Sequence, residues 1–150
     1  MMKVRKQLFD LCNAFADARI ASAHEAMQQA QEAANAEEKS SAGDKYETGR
    51  AMAHLEKEKA SAQLAAGNKL KEVLIKINPN HTTIRAALGS VVITSNGNYY
   101  LAISAGKLSV EGKEYLAVSP ASPVGVQLMG CVAGSTIIFQ GKSILIVAVE

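Results

Sequence analysis

The chain has 150 residues, which is enough for one ordinary domain or two small ones with a buried core. Hydrophobic residues make up 48% and charged residues 20%, a composition that excludes a disordered chain. The formal net charge is only +2, which argues against a protein that binds nucleic acid mainly through bulk charge. Any electrostatic contribution to binding must therefore be local.

The cysteines and the N-terminal segment predict a cytosolic protein with reduced thiols. Cys12 and Cys131 stand far apart and match no zinc-binding or Cys-x-x-Cys spacing. Segment 1–15 carries charges where a signal peptide needs an apolar stretch. No run of about eighteen apolar residues occurs, so we expect no membrane-spanning segment.

The composition changes near Asn78-Pro79. Residues 1–77 hold 12 Lys or Arg and 11 Asp or Glu, whereas residues 78–150 hold 4 and 3, which restores the totals of 16 and 14. Alanine is frequent in the first part, and Val, Ile, Gly and Ser are frequent in the second. Because proline disfavours a helical residue before it, we place a domain boundary between residues 77 and 78.

Residues 1–77 are predicted to form two long helices, over about 3–40 and 46–77. Apolar positions recur in each at spacings of three and four, which gives a narrow stripe typical of a coiled-coil seam. The short break over 40–43 favours an antiparallel hairpin, whose arms of about 30 residues would each span roughly 45 Å. The predicted stripe residues are Val4, Leu8, Leu11, Phe15, Ala18, Ala26, Ala30, Ala33, Ala36, Met52, Leu55, Ala62, Ala66, Val73 and Ile77.

Residues 78–150 are predicted to form a small antiparallel β-sheet with one short helix. Asn96-Gly97 between two β-rich runs is a strong hairpin signal, and Glu111-Gly112 and Gly141-Lys142 mark two further turns. Ser122 followed by Pro123 predicts a helix whose first turn is capped by the serine hydroxyl. Five or six strands and one helix make an α+β domain.

The sequence contains no self-contained active site. The three histidines share no metal-ligand spacing, and no nucleophile elbow, P-loop or dinucleotide motif occurs. At the predicted hairpin tip, Asp44 and Glu47 have the spacing of a helix-capping box. Two carboxylates at the end of a long hairpin also offer oxygen ligands to a cation such as Mg²⁺, provided that a partner supplies the others. The two interpretations are compatible.

The order of these features resembles the bacterial GreA/GreB family of transcription elongation factors over nearly the whole chain. Segment 43–48, Gly-Asp-Lys-Tyr-Glu-Thr, keeps the glycine and both acids of the Gly-Asp-Leu-x-Glu-Asn tip of that family. Segment 122–130, Ser-Pro-Val-Gly-Val-Gln-Leu-Met-Gly, is similar to its C-terminal domain. The resemblance implies an FKBP-like fold for residues 78–150, which would dock on RNA polymerase at the secondary channel, with Ser122 and Pro123 as partner-binding residues.

The resemblance also implies the chemistry of the tip. Asp44 and Glu47 would act in the polymerase active site, where they would help to hold a second Mg²⁺ shared with the polymerase. Such a metal pair promotes hydrolysis of a phosphodiester, here near the 3′ end of backtracked nascent RNA. The chain is therefore expected to be a monomeric cofactor of RNA polymerase rather than an enzyme, with no Mg²⁺ bound in isolation.

Two alternatives stay open. Arg50 stands where the family commonly has an acid, so the chain is also compatible with a channel-binding regulator of polymerase that does not stimulate cleavage. A prolyl isomerase on an FKBP-like domain is the weaker alternative, because few aromatic residues are available to line a proline pocket. The aromatic candidates are Tyr99, Tyr100, Tyr115 and Phe139.

Overall fold

The computed structural model describes residues 2–38 and 43–150, with side chains for residues 2–36 and 47–150. The elements in chain order are α1 (Met2–Glu38), α2 (Gly43–Leu74), β1 (Val91–Thr94), β2 (Gly97–Leu101), β3 (Gly106–Val110), β4 (Lys113–Val118), α3 (Pro123–Leu128), β5 (Thr136–Phe139) and β6 (Lys142–Val149). The predicted α+β class is confirmed, with a long helical region before a strand-rich one. Among the helices described, none combines the length and the apolar character that a membrane span requires.

The chain divides into two compact units. The helical unit consists of Ala16–Leu70, and the sheet unit combines Met1–Phe15 with Lys71–Glu150. The first residues of α1 and the last residues of α2 thus belong to the sheet unit, where Leu8 and Leu74 are fully buried. The compact units are divided within α1, after Phe15, and within α2, after Leu70. The domain boundary between residues 77 and 78 stays a prediction.

In the helical unit, α1 and α2 pack through small residues at seven-residue spacing. A Cβ atom at Gly67 would lie only 2.8 Å from Ile20 Cγ1, so the two helices approach closely there. Lys57 Nζ donates a hydrogen bond to Gln31 Oε1 at 2.9 Å, and this pairing together with Gly67 and Ile20 makes the helices antiparallel, as predicted. The buried seam residues are Ala16, Ala23, Ala30, Ala53, Ala60 and Gly67.

The predicted register of this seam is wrong on α2 and in part on α1, where Leu11, Ala18, Ala33 and Ala36 are exposed. Met52 and Leu55, which the sequence analysis placed in the seam, are 63% and 62% exposed, and Ala62 is exposed as well. Hydrophobic spacing alone favours the larger apolar side chains. The close approach of the helices instead requires small ones, which Ala53 and Ala60 supply.

The sheet unit is built on a six-stranded mixed sheet with the order β3-β4-β2-β1-β6-β5. Strands β2 and β4 are parallel, with Tyr99 opposite Leu116, whereas the other four neighbouring pairs are antiparallel. The prediction of a purely antiparallel sheet is therefore wrong at this pair. The chain reverses direction over 102–105, so β3 has the opposite direction to β2. The strand that pairs with β2 is nevertheless β4, the second strand of the β3–β4 hairpin, and β4 has the same direction as β2. Local turn signals do not encode that choice.

The two faces of the sheet are both buried in their central part. Val92, Leu101, Leu128 and Ile146 belong to one apolar core that includes α3. Tyr100 alternates with Leu101 along β2 and therefore projects from the other face. It lies near Cys12 and Arg5 of α1, and burial raises its pKa. The first turns of α1 thus cover the face of the sheet opposite α3.

Arg5 is a charged residue in this interior, with only 2% of its surface exposed. Its Nη1 donates a hydrogen bond to the carbonyl oxygen of His81. Within the described residues, Nε and Nη2 of Arg5 and the hydroxyl of Tyr100 have no hydrogen-bond partner. Burial of a guanidinium with a single partner is energetically unfavourable, so apolar packing must stabilise this region.

Two of the hairpins close through turns that require positive φ. Glu111 and Gly112 have φ of 53° and 78°, and Gln140 and Gly141 have φ of 51° and 76°. Positive φ at both central residues is typical of a type I′ turn. The first turn lies where the sequence predicted it, and the second lies one residue earlier because Lys142 already belongs to β6.

Candidate functional site

Glu47 is the described residue of the predicted acidic tip. It lies in the first turns of α2, which begins at Gly43, and its side chain is exposed. The side chain of Asp44 lies outside the described residues, so the capping box and the proximity of Asp44 to Glu47 stay predictions. The position of Glu47 is compatible with a carboxylate offered to a partner.

A groove of about 630 Å³ in the helical unit contains Glu47. Arg50, His54 and Lys57 line the same groove and follow Glu47 at steps of three, four and three residues. This spacing places all four side chains on one face of α2. The carboxylate of Glu47 therefore lies in the same groove as two cationic side chains and one imidazole.

Contacts around the groove fix two of these basic side chains. Lys57 Nζ is held by Gln31 of α1, and His54 Nε2 lies 3.2 Å from Glu58 Oε1. For the residues with described side chains, no ion pair links Glu47 with Arg50. The Arg50 guanidinium is exposed and remains available for a partner.

The described residues do not form a complete metal site. They contain no group of three or more His, Cys, Asp or Glu side chains placed to hold a metal ion. One carboxylate supplies at most two oxygen ligands, which is fewer than the octahedral coordination of Mg²⁺ requires. The donor set around Glu47 therefore fits a metal ion only if other groups complete the coordination.

The Ser122 hydroxyl makes two local hydrogen bonds, one as donor and one as acceptor. Its Oγ donates to the carbonyl oxygen of Ser119 at 2.6 Å and accepts from the backbone N–H of Gly125 at 3.1 Å. The hydroxyl thus caps α3, as the sequence predicted, and Pro123 occupies the first turn with an exposed side chain. Pro123, rather than the Ser122 hydroxyl, is the group of this pair that remains open to a partner.

Gly125 completes the same local structure. A Cβ atom there would lie 2.0 Å from the carbonyl oxygen of Ser119, so no larger residue fits without movement of the backbone. The Ser-Pro-Val-Gly segment at 122–125 therefore has a structural explanation: the serine caps, the proline starts the helix and the glycine leaves room for the Ser119 carbonyl.

An exposed apolar surface beside Pro123 was missed by the sequence analysis. Val126 and Met129 follow Pro123 in steps of three and are 59% and 40% exposed. Ile84 is 84% exposed, and the neighbouring Arg85 donates from Nη1 to the carbonyl oxygen of Gly130 at 3.3 Å. The backbone N–H of Gly130 donates to the carbonyl oxygen of Ala86 at 2.7 Å, which places the backbone of segment 84–86 beside the end of α3. Grouped apolar exposure of this kind is a feature of interaction surfaces.

Comparisons with known proteins give limited information. No protein-family model and no curated protein matches the chain. Among solved structures, the chain is similar to GreA factor homolog 1 (Gfh1) of Thermus thermophilus, with 18% sequence identity and a TM-score of 0.37. The similarity covers 92% of this chain and 94% of that one. At this level it establishes neither membership of a family nor a shared activity.

Proposed function

We propose that this chain is a secondary-channel factor of bacterial RNA polymerase that stimulates cleavage of backtracked nascent RNA. The observation that carries the proposal is the position of the Gly-Asp-x-x-Glu segment, 43–47, where α2 begins in a long antiparallel hairpin. The capped helix α3, with its Ser-Pro-Val-Gly sequence, supports the same resemblance to the GreA/GreB family from the other unit. Neither segment alone is specific.

The proposed role of the tip follows from its chemistry. Asp44 and Glu47 would donate carboxylate oxygens to a Mg²⁺ whose remaining ligands come from the polymerase. Such a metal, when bound, lowers the pKa of a water ligand and stabilises the oxygens of the cleaved phosphodiester. The exposed side chain of Glu47 and its lack of a described ion pair with Arg50 support this role.

The sheet unit would bind the polymerase through the apolar surface of Ile84, Pro123, Val126 and Met129. This surface is exposed, whereas the Ser122 hydroxyl is already used in capping α3. Burial of exposed apolar surface at a contact contributes favourably to affinity. Ser122 would therefore act by holding Pro123 in position.

A regulator that binds the channel without stimulating cleavage is the second candidate. Arg50 and Lys57 line the same groove as Glu47, and their positive charge opposes the approach of a cation. Exposed charges interact by only about 0–1 kcal/mol, so this effect weakens metal capture without abolishing it. The basic face of the groove is the observation that keeps this candidate in consideration.

A cleavage assay on stalled, backtracked complexes of the cognate polymerase tests the proposal. The wild-type chain is expected to shorten labelled RNA in the presence of Mg²⁺. The double variant Asp44→Asn with Glu47→Gln is expected to bind polymerase but to leave the RNA intact. Glu56→Gln is the matched control, because Glu56 is an exposed carboxylate on α2 that lines a different groove.

Each outcome separates the candidates. Binding without cleavage by the wild-type chain would favour the non-cleaving regulator. Absence of binding would contradict both candidates. Equal cleavage by the double variant and the wild-type chain would contradict the role of the two carboxylates.

A further inference from the structure

Asn96 and Gly97 form a motif that the proposed function does not use. They lie between β1 and β2, and both are exposed. Gly97 already belongs to β2, where it is opposite Thr94, so Ser95 and Asn96 are the two residues that form the connection. The motif is therefore at the solvent-facing end of a hairpin rather than in its core.

No neighbouring side chain shields the reacting groups of Asn96 and Gly97. The backbone N–H of Asn96 donates to Thr94 Oγ1 at 3.0 Å, but no hydrogen bond of the Asn96 side-chain amide is described. Gly97 has a φ of 119°, and the position that a Cβ atom would occupy has no heavy atom within 4 Å. The Gly97 nitrogen thus has no side chain beside it and is adjacent in sequence to an amide carbon that is accessible to attack.

We propose that Asn96 is a site of spontaneous covalent modification through a cyclic imide formed with Gly97. The backbone nitrogen of Gly97 attacks Cγ of Asn96 and forms a new C–N bond. The bond between Cγ and the side-chain nitrogen breaks, and that nitrogen leaves as ammonia with the proton from Gly97. Water then opens the five-membered ring at either carbonyl, which gives aspartate or isoaspartate. The reaction needs no oxidant, reductant or cofactor, and it does not depend on the proposed function.

The other asparagines of the sheet unit provide internal comparisons. Asn98 precedes Tyr99, whose side chain is 7% exposed and packed in the core. Asn80 precedes His81, and Asn78 precedes Pro79, which has no N–H with which to form the ring. Attack is thus hindered at Asn98 and Asn80 and blocked at Asn78. Asn13 precedes the small residue Ala14, but its side chain is held on α1, where Nδ2 donates to the Phe9 carbonyl oxygen at 3.2 Å and Oδ1 accepts from Lys71 Nζ at 2.9 Å. Among these asparagines, Asn96 is the one that combines a glycine neighbour with an exposed turn.

Modification would affect more than the turn. The Thr94 hydroxyl, in a side chain that is 7% exposed, donates to the carbonyl oxygen of Gly97 at 2.7 Å. Ser95, the first residue of the turn, is hydrogen-bonded to β6. Its backbone N–H donates to the carbonyl oxygen of Leu145 at 2.9 Å, and its Oγ accepts from the N–H of Leu145 at 3.0 Å. Isoaspartate inserts an additional carbon into the backbone and adds a negative charge. It would therefore disturb the contacts of both β2 and β6 with β1.

The test is incubation of the full chain at mildly alkaline pH, followed by proteolysis and mass spectrometry. The peptide that contains Asn96 is expected to gain the mass that corresponds to replacement of an amide by a carboxylate. It is expected to appear as two chromatographic forms, aspartate and isoaspartate, while the peptide that contains Asn80 is still unmodified. In water labelled with ¹⁸O, each product should gain one labelled oxygen.

Two controls complete the test. The ordered turn must open transiently for the ring to close, so the reaction is expected to accelerate when the chain is unfolded in urea. Asn96→Gln should remove the early modification, because its longer side chain forms a six-membered ring less readily. Conversion of Asn98 or Asn80 before Asn96, or formation of aspartate without isoaspartate, would overturn the proposal.

Discussion

The small-residue seam of the helical unit can be tested by enlarging one buried and one exposed position of α2. Ala60 is 2% exposed and belongs to the seam, whereas Ala62, two residues further along, is exposed. Alanine and leucine have similar helix propensities, so Ala60→Leu and Ala62→Leu change the intrinsic stability of the helix by similarly small amounts. A difference between the two variants therefore reports the packing of the substituted side chain.

The expected magnitude follows from the closeness of the helices. One heptad beyond Ala60, a Cβ atom at Gly67 would already lie 2.8 Å from Ile20 Cγ1. The three additional heavy atoms of Ala60→Leu must separate the helices or adopt strained rotamers, which costs about 1–3 kcal/mol. At about 2–4 °C per kcal/mol for a chain of this size, the unfolding midpoint should fall by roughly 2–12 °C. Ala62→Leu should change it by less than about 2 °C.

Thermal unfolding followed by far-UV circular dichroism measures the midpoint. Native-state hydrogen exchange over residues 16–70 assigns a loss of stability to the helical unit. If Ala62→Leu destabilises the chain as much as Ala60→Leu does, or if neither variant has an effect, then residues 53, 60 and 67 do not form the seam. In that case the larger apolar side chains of Met52 and Leu55 would be the ones that pack against α1.

Three further predictions concern the sheet unit. Arg5→Met should preserve or raise the free energy of unfolding in urea, because it removes a buried charge but keeps most of the side-chain volume. Arg5→Ala should lower the free energy of unfolding by roughly 2–5 kcal/mol, because it leaves a cavity. A large loss of stability with methionine would contradict this explanation. Gly125→Ala should cost about 1–3 kcal/mol in the same assay, because its Cβ would meet the Ser119 carbonyl, whereas the exposed Val126→Ala should cost less than about 0.5 kcal/mol. Burial raises the pKa of the Cys12 thiol from 9.0 to about 12, so the neutral thiol favours the folded state. Stability measured against pH should therefore fall between about pH 9 and 12, and the fall should be smaller in Cys12→Ala and begin nearer pH 10, where Tyr100, whose pKa burial also raises, starts to contribute.

Local features of the fold followed from the sequence. Spacing of apolar residues predicted both long helices, the lack of Gly and Pro over residues 3–40 supported the first, and Ser122 with Pro123 predicted the start of α3. The Asn96-Gly97 signal predicted the first hairpin. A type I′ turn on this signal would have Asn96 and Gly97 as its two central residues, whereas Ser95 and Asn96 form the turn in the structure. Among the described non-glycine residues, only Glu111 and Gln140 have a positive φ, so Asn96 does not adopt that conformation.

Features that depend on distant contacts were not predictable in the same way. The parallel pairing of β2 with β4 depends on which strand of a hairpin docks, and no local signal determines this. Likewise, nothing in the charged sequence around Arg5 indicates a buried residue. Its burial follows from packing within the sheet unit, to which the first residues of α1 belong. At the candidate site, spacing identified Glu47. The exposed apolar surface was not predictable, because Ile84 comes near α3 only through the backbone pairing of Ala86 with Gly130 in the folded sheet unit.

The arrangement of the sheet has a consequence for the order of folding during synthesis. Strand β1 pairs with β6, with Val92 opposite Val149, and β6 is the last strand in chain order. The helical unit, in contrast, makes its contacts within residues 16–70. Contacts between residues close in sequence form earlier than those that must wait for distant segments. The helical unit is thus able to form while the chain is still on the ribosome, whereas β1 keeps an unpaired edge until β6 has emerged.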